Sequence, residues 1–270
     1  MISKFFYNLV GKNKKLKSRL WASWYNYLAR ISKDDKVYFL NYGYYDPDEK
    51  NPIKLNDEDE DNRICIQLYH NVANAINLDG KDLMEMSCGQ GGGSSYISRY
   101  LKPKSYIGSD RTADAIKFCQ KTHKADGLSY QVGDALDMPF KDQQFDAVVN
   151  VEASHCYPDF DKFMSEVYRV LKPGGYFLYT DFRRQELYDD WKVDMQKPGL
   201  KIIEEDDITA RVVLGMDKNS GKYIQTINRI VPRFARKYFY QFAGTKGTVI
   251  YNQFAKREKV YIRFVLQKPE

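Results

Sequence analysis

Short apolar runs alternate with stretches of helical period from Leu83 to about Leu266, the signature of βα units that build a parallel sheet. Leu83 to Met86 predicts a first strand. Ser94 to Leu101 predicts a helix entered from glycines and stopped at Pro103. Ser105 to Ser109 follow as a second strand closed by Asp110, and Thr112 stands where it can cap a helix running to His123. Gly127 turns the chain into a third strand, Leu128 to Val132, and Phe145-Asp-Ala-Val-Val-Asn-Val151 predicts a fourth. Asp161 to Leu171 reads as a helix with Phe163, Val167, Val170 and Leu171 on one side, broken by Lys172-Pro-Gly-Gly175 before a fifth strand, Tyr176 to Thr180. Lys201 to Ile203 and Val260 to Leu266 predict the last two strands. The segment between them, Asp206 to Lys256, reads as mostly helical and placed to cover an active site.

The front of the chain differs. Its first 56 residues are rich in Trp, Tyr and Lys and end in Asn56-Asp-Glu-Asp-Glu-Asp61, ahead of a predicted helix from Arg63 to Ile76. The positive end of that helix favours the acids, so they read as a solvated helix start rather than a metal or partner site. Leu16, Leu20, Trp24, Leu28 and Ile31 recur at helical spacing, with Lys12, Lys14, Lys15, Lys17 and Arg19 at the start of the stripe. This predicts a lid helix, with an interfacial membrane helix as the alternative. The resulting division is a helical cap over 1–56, an α/β core over 57–205, a helical insertion over the substrate at 206–256, and a final core strand over 257–270.

A chain of 270 residues suits one large α/β domain with an added cap. The net charge of +6 is modest, and the basic residues read as spread along the chain apart from the N-terminal cluster, so no nucleic-acid partner is expected. Cys65, Cys88, Cys119 and Cys156 form no Cys-x-x-Cys pair. That argues against a zinc site and a disulfide framework, and for a reducing cytoplasm. The opening residues are too aromatic and too short in apolar run for a secretory signal, and no stretch of about 20 apolar residues spans a bilayer. A soluble or peripheral protein is expected, of unassigned oligomeric state.

Three corners carry the chemistry. Glu85-Met-Ser-Cys-Gly-Gln-Gly91, Asp110 and Gly133-Asp134-Ala135 each end a successive predicted strand, which describes a nucleotide-shaped pocket where open α/β sheets bind ligands. Gly89, Gly91, Gly92 and Gly93 allow a tight turn and close backbone approach. Glu85, on the strand beneath, can position a donor. Asp110 can accept from two ribose hydroxyls and Asp134 from an adenine amino group, with the Ala135 N–H available to a ring nitrogen. Ser87, Arg111, Gly133, Asn150 and Glu152 are assigned to the same cofactor set. The glycines depart from a dinucleotide fingerprint, whose last position is Ser94 here, and Glu85 would repel a pyrophosphate. A cationic sulfonium tolerates that charge.

Glu85 to Gly93, Asp110, Gly133-Asp134, Asn150-Val-Glu-Ala-Ser-His-Cys-Tyr-Pro158 and Leu171-Lys-Pro-Gly-Gly175 closely resemble class I S-adenosylmethionine methyltransferases. Within them they resemble the mycobacterial phthiotriol/phenolphthiotriol dimycocerosates methyltransferase group. The run Asn150 to Pro158 is the most specific part. The resemblance extends back through Asn41-Tyr-Gly-Tyr44, Asn62-Arg63 and Leu68-Tyr-His70, covers the chain to about Arg183, and thins beyond. It implies a Rossmann-like, seven-stranded class I fold, S-adenosyl-L-methionine as cofactor, and O-methylation of a hydroxyl on a long lipid or polyketide-derived acceptor. Arg111 departs from the apolar residue usual in that group.

Methyl transfer from a sulfonium needs alignment and removal of a proton. His155 follows the fourth strand at the carboxyl edge of the sheet, and its ordinary pKa suits a base. Tyr157 and Asp181 are second candidates in the catalytic set, for orienting the acceptor. His70 and His123 read as solvated or capping, and Cys156 as a small loop residue. Trp21, Trp24, Tyr25 and Tyr27 at the front, and Phe234, Tyr238, Phe239, Tyr240 and Phe242 near the back, suit a large apolar acceptor if they line a tunnel and otherwise pack the cap. An inactive methyltransferase-like module would have lost cofactor residues that are present. A nicotinamide reductase would need a third fingerprint glycine and a Tyr/Lys pair. A C-methylating enzyme of sterol or quinone kind shares the cofactor site and stays open.

Overall fold

The computed structural model describes residues 37–270. The Leu16 to Ile31 stripe, its basic cluster, and Trp21, Trp24, Tyr25 and Tyr27 lie outside the described residues. Seven strands form one sheet: β1 (Asp82–Met86), β2 (Ser105–Asp110), β3 (Leu128–Val132), β4 (Phe145–Val151), β5 (Leu171–Arg184), β6 (Lys201–Asp207) and β7 (Lys259–Gln267), in the order β3-β2-β1-β4-β5-β7-β6. The helices are α1 (Asp57–Glu60), α2 (Arg63–Ala73), α3 (Gly92–Tyr96), α4 (Ala113–Thr122), α5 (Phe160–Val170), α6 (Tyr188–Gln196), α7 (Thr209–Ile230), α8 (Arg236–Phe242) and α9 (Val249–Ala255).

Side-chain alternation explains the layers. On β1, Leu83 packs with Leu68, Val72 and Tyr96 on one face, while Met84 and Met86 pack with Phe163 and Val167 on the other. On β5, Leu178 joins the first face, and Phe177 and Tyr179 the second. A sheet apolar on both faces must be covered on both. Helices α2 and α7 supply buried residues to the first face, α5 and α6 to the second.

Strands β1 to β5 run parallel. The expectation of a parallel sheet fails at the end of the chain, because β7 enters between β5 and β6 antiparallel to both. Alternation of apolar residues carries no information on strand direction. The antiparallel ladder with β7 reaches from Tyr176↔Gln267 to Arg184↔Lys259, and carries β5 past Thr180. Lys172-Pro-Gly-Gly175 therefore lies inside β5. Pairing with β4 jumps from Phe145↔Leu171 to Ala147↔Tyr176 across it, and Leu171 belongs to the strand rather than to α5. Asp159 caps α5 by accepting the Lys162 N–H at 3.0 Å.

Other boundaries move less. The helix expected from Ser94 begins at Gly92, and its second half, Ile97–Leu101, is a π-turn. Helix α2 ends at Ala73 rather than Ile76. Helix α6 has no counterpart in the sequence reading, since only Trp191 and Met195 of its nine residues are buried. Strand β6 runs to Asp207, so the division at 205/206 falls within a strand. Nor does the whole front segment form a separate cap: Phe39 and Tyr44 belong to the main core, and the Tyr44 N–H meets the Ile64 carbonyl at 2.9 Å. The insertion is helical, as its pattern predicts, and its tip closes on a small cluster of Ile227, Val231 and Phe239. No helix among the described residues is long and apolar enough to cross a membrane.

Strand order turns between β1 and β4. A crevice at the carboxyl ends is expected there.

Candidate active site

That crevice is a cavity of about 220 Å³. Its two edges leave the sheet through left-handed residues: Ser87 after β1 has φ 65° and Glu152 after β4 has φ 52°. For non-glycine residues this costs roughly 1–3 kcal/mol each, and such strain concentrates at functional sites.

The cofactor end is held by short connections. Gly91 has φ 77°, and a Cβ there would stand 2.8 Å from Cys119 Sγ and 2.9 Å from the Tyr130 hydroxyl, so only glycine fits the turn into α3. Asp110 forms part of the cavity wall. Its Oδ2 accepts the Gly89 N–H at 3.1 Å and its Oδ1 the Thr112 N–H at 2.8 Å. Thr112 thus occupies the cap position of α4 without a side-chain cap bond. A carboxylate has about four acceptor sites, so two remain for a ribose diol. Burial raises the Asp110 pKa, against the pull of those two backbone donors. Asp134 stands more exposed on the same wall, its Oδ1 accepting the Leu136 N–H at 2.9 Å, with Ala135 beside it. The residues present fit the ribose and adenine of S-adenosylmethionine.

Glu85 is not on the wall. Fully buried, it accepts from the hydroxyls of Tyr69 (2.8 Å), Ser94 (2.5 Å) and Tyr106 (3.2 Å), and burial raises its pKa. It anchors the floor under the glycine turn. Gly91 and Asn150 also stand behind the wall. Asn150 Nδ2 donates to the Met86 carbonyl at 2.8 Å and to the Tyr157 hydroxyl at 3.0 Å, tying β4 to β1, while its buried Oδ1 has no hydrogen-bond partner among the described residues. Tyr157 also meets Ser87 Oγ at 2.6 Å. Ser87, Gly89, Arg111, Gly133, Glu152 and Tyr157 all face the cavity.

Sequence reasoning missed one wall, residues 38–41. The Tyr38 carbonyl accepts the Gly92 N–H at 3.2 Å, and its ring lies edge-on to His123 at 5.1 Å. The only signal was the apolar run ahead of Asn41-Tyr-Gly-Tyr44. His123 is not solvated: its Nε2–H donates to the Gln90 carbonyl at 2.8 Å. His70 likewise is half-buried, with Nδ1 2.7 Å from the Tyr96 hydroxyl. Burial lowers both imidazole pKa values.

At the opposite end, Glu152 Oε2 accepts the Tyr42 N–H at 2.9 Å and the Tyr261 hydroxyl at 2.8 Å. Burial outweighs these donors and raises its pKa to about 8. Gly43, at φ 82°, turns the chain so that Tyr42 can reach it; a Cβ on Gly43 would meet Ile64 Cγ2 at 2.5 Å. His155 and Asp181 do not reach the wall. The His155 Nδ1 lies 2.8 Å from Asp181 Oδ1, and the ring packs on Phe182 at 4.3 Å. Asp181 is fully buried and also accepts from Ser154 Oγ and from the His155 and Phe182 backbone N–H groups. Burial, the largest single influence, lowers the imidazole pKa, but Asp181 and Cys156, through charge and hydrogen bonding together, overcome it and raise it to about 10. Asp181 is held well below the usual carboxylate range: burial opposes this, and His155 and Arg183 overcome it.

Of the two readings of the late aromatics, packing of the cap fits better than a tunnel. Phe239 is buried in the small insertion cluster, and Phe234 and Tyr238 are exposed. The aromatics beside Glu152 are instead Tyr42, Phe182, Phe254 and Tyr261, with Phe182 and Phe254 edge-to-face at 5.3 Å.

A family described as "Methyltransferase domain" matches residues 84–179, the span that contains these corners. The fold and site define a class I S-adenosylmethionine-dependent methyltransferase, an enzyme. A phthiotriol/phenolphthiotriol dimycocerosates methyltransferase of Mycobacterium leprae is 41% identical over 236 residues, 87% of each chain. A fatty-acid O-methyltransferase of Mycolicibacterium smegmatis is 41% identical over 245 residues, 91% of this chain and 88% of that one. Among solved structures, a putative sarcosine dimethylglycine methyltransferase from Galdieria sulphuraria superimposes with TM-score 0.72 over 91% of this chain and 98% of that one, at 15% identity. The chain belongs to the family of the phthiotriol/phenolphthiotriol dimycocerosates methyltransferases.

Proposed function

We propose that this enzyme methylates a hydroxyl oxygen of a lipophilic acceptor, and that Glu152 takes the acceptor's proton. One observation carries the proposal: Glu152 is a cavity-wall carboxyl whose pKa is raised to about 8. A general base works best when its pKa lies near the operating pH. The two relatives support the acceptor class, one being named for phthiotriol and phenolphthiotriol dimycocerosates and the other for fatty acids.

Asp110 and Asp134 would hold the ribose and adenine. The bound cofactor supplies an electrophilic methyl group. The chain aligns the acceptor, excludes water and removes the proton. Oε2 of Glu152 is occupied by Tyr42 and Tyr261, which leaves Oε1 for the acceptor hydroxyl, and Tyr157 orients the acceptor from the neighbouring wall. His155 is the base that the sequence suggests. With a pKa of about 10 it carries its proton at neutral pH and offers no lone pair. In this reading His155 and Asp181 are positioning residues. They lock the turn at 154–156, and the His155 charge draws the Glu152 pKa down from where burial would leave it.

The test is transfer of labelled methyl to long-chain alcohols, phenols and fatty acids by the wild type and Glu152→Gln. The proposal expects hydroxyl acceptors to be methylated and the variant to lose that activity. Methylation of fatty carboxylates alone, unchanged in the variant, would overturn it.

A further inference from the structure

The sequence reading takes the basic residues as spread along the chain outside the N-terminal cluster. In the helical insertion it is the acids that are unevenly placed. Residues 218–257 contain nine Lys and Arg and no Asp or Glu, in a chain whose total is only +6. The tip of this segment, where α7 passes through residues 231–235 into α8, also presents apolar surface. Phe234 is 86% exposed and Tyr238 62%. Between and beside them stand Arg233 and Lys237, both exposed and making no ion pair among the described residues. A single exposed aromatic is ordinary. Two aromatics interleaved with unpaired cations, in a segment free of acids, make a surface that is apolar and positively charged at once.

We propose that this tip is a membrane-docking surface: Phe234 and Tyr238 enter the interfacial region of an anionic bilayer while Arg233 and Lys237 meet lipid phosphates. Amphipathic aromatics and snorkelling cations favour that boundary. Charge selects the occupant. A second copy meeting this patch with the same patch would bring like charges together, and residues 1–36 carry nine Lys and Arg against two Asp, so neither complements it. An anionic lipid surface does. Arg236 stiffens the tip by donating to the Val231 and Asn228 carbonyls at 3.0 and 2.6 Å.

The surface connects to the acceptor end of the cavity. The turn after α8 packs on Tyr42, because a Cβ on Gly244 would lie 2.9 Å from that ring, and the Tyr42 N–H is bonded to Glu152. The far end of α8 is thus linked to the cavity wall through Tyr42, one seven-residue helix away from the tip. The docking claim needs neither Glu152 as base nor a hydroxyl acceptor.

Co-sedimentation of the full chain with phosphatidylglycerol–phosphatidylcholine vesicles, against phosphatidylcholine alone, tests it. Wild type should partition to the anionic vesicles at low salt. Arg233→Glu/Lys237→Glu should lower that partitioning at least about tenfold, since each basic side chain contributes near an anionic surface, and Phe234→Ser/Tyr238→Ser should weaken it at low and high salt. Both variants should keep the wild-type Tm and methylate a detergent-dispersed acceptor normally, while slowing on the same acceptor in vesicles. No wild-type binding, or equal binding by both variants, overturns the docking claim. A wild-type dimer that the charge reversal dissociates also overturns it, by assigning the surface to a second copy. Loss of activity in detergent by the wild type would instead count against the proposed acceptor.

Discussion

The two ends of the cavity are built differently. At the cofactor end, Asp110 is fixed by Gly89 and by Thr112, two positions on in the chain. At the acceptor end, Glu152 is fixed by Tyr42 and Tyr261, at separations of 110 and 109 residues. The first end is made of turns that any strand-to-helix corner can supply. The second exists only when the front segment, β4 and β7 have all docked. A site of the first kind holds a ligand common to many enzymes, and one of the second kind can be retuned by any of three distant segments.

The largest effect should come from the acceptor end. Glu152→Gln keeps the shape and both hydrogen-bonded neighbours but removes the base, so turnover should fall roughly 100 to 10,000-fold, with cofactor affinity nearly unchanged by calorimetry. The same variant should melt higher. Because the folded-state pKa is raised, the wild type retains a proton that the unfolded chain has lost, and its stability declines as pH rises from the ordinary carboxyl range to about 8. Removing that cost should raise Tm by a few degrees, as expected when about 1 kcal/mol is recovered in a chain of this length. A large loss of Tm would mean that Glu152 is a structural group.

At the cofactor end the expected effect is on binding. Asp110→Ala should weaken cofactor affinity by about 1.5–3 kcal/mol, the range for charge-assisted hydrogen bonds, and Asp134→Ala by less, because its carboxylate is exposed. Equal affinities in titration calorimetry would erase the contrast between the ends.

This asymmetry also explains how much of the molecule could be read from its residues. The corners after β1, β2 and β3 were legible because each is a local sequence of acids and glycines closing an apolar run. The direction of β7 was not, since a period-2 pattern is the same in both directions. Of the residues that the 150–157 run singles out, Glu152 and Tyr157 face the cavity while Asn150 and His155 stand behind it, a division that depends on contacts no local pattern encodes. His155 looks like a free imidazole until Asp181 is seen beside it, and Glu152 looks like an ordinary acid until Tyr42 and Tyr261 close over it. Helix α6 escaped because a helix with two buried residues has almost no apolar stripe.

Smaller effects separate the two kinds of residue at the acceptor end. The His155–Asp181 pair should stabilise the fold fully below the ordinary histidine pKa of about 6.5 and lose that contribution as pH rises through about 10. His155→Gln should flatten the dependence of Tm on pH across that window while leaving the lower-pH slope due to Glu152. Tyr157→Phe should cost about 1–3 kcal/mol in denaturant unfolding, because it removes the acceptor for Asn150 and the partner of Ser87.

Whether a burial-tuned Glu152 removes the acceptor proton is read from the pH dependence of kcat/KM for a long-chain alcohol acceptor, whose own hydroxyl does not titrate in this range, so that the profile reports the groups of the free enzyme. The rate should rise with unit slope and level off near pH 8, the value for Glu152, with that inflection absent in Glu152→Gln. A rise centred near pH 10, the value for His155, or a flat profile in the wild type would contradict Glu152 as the base.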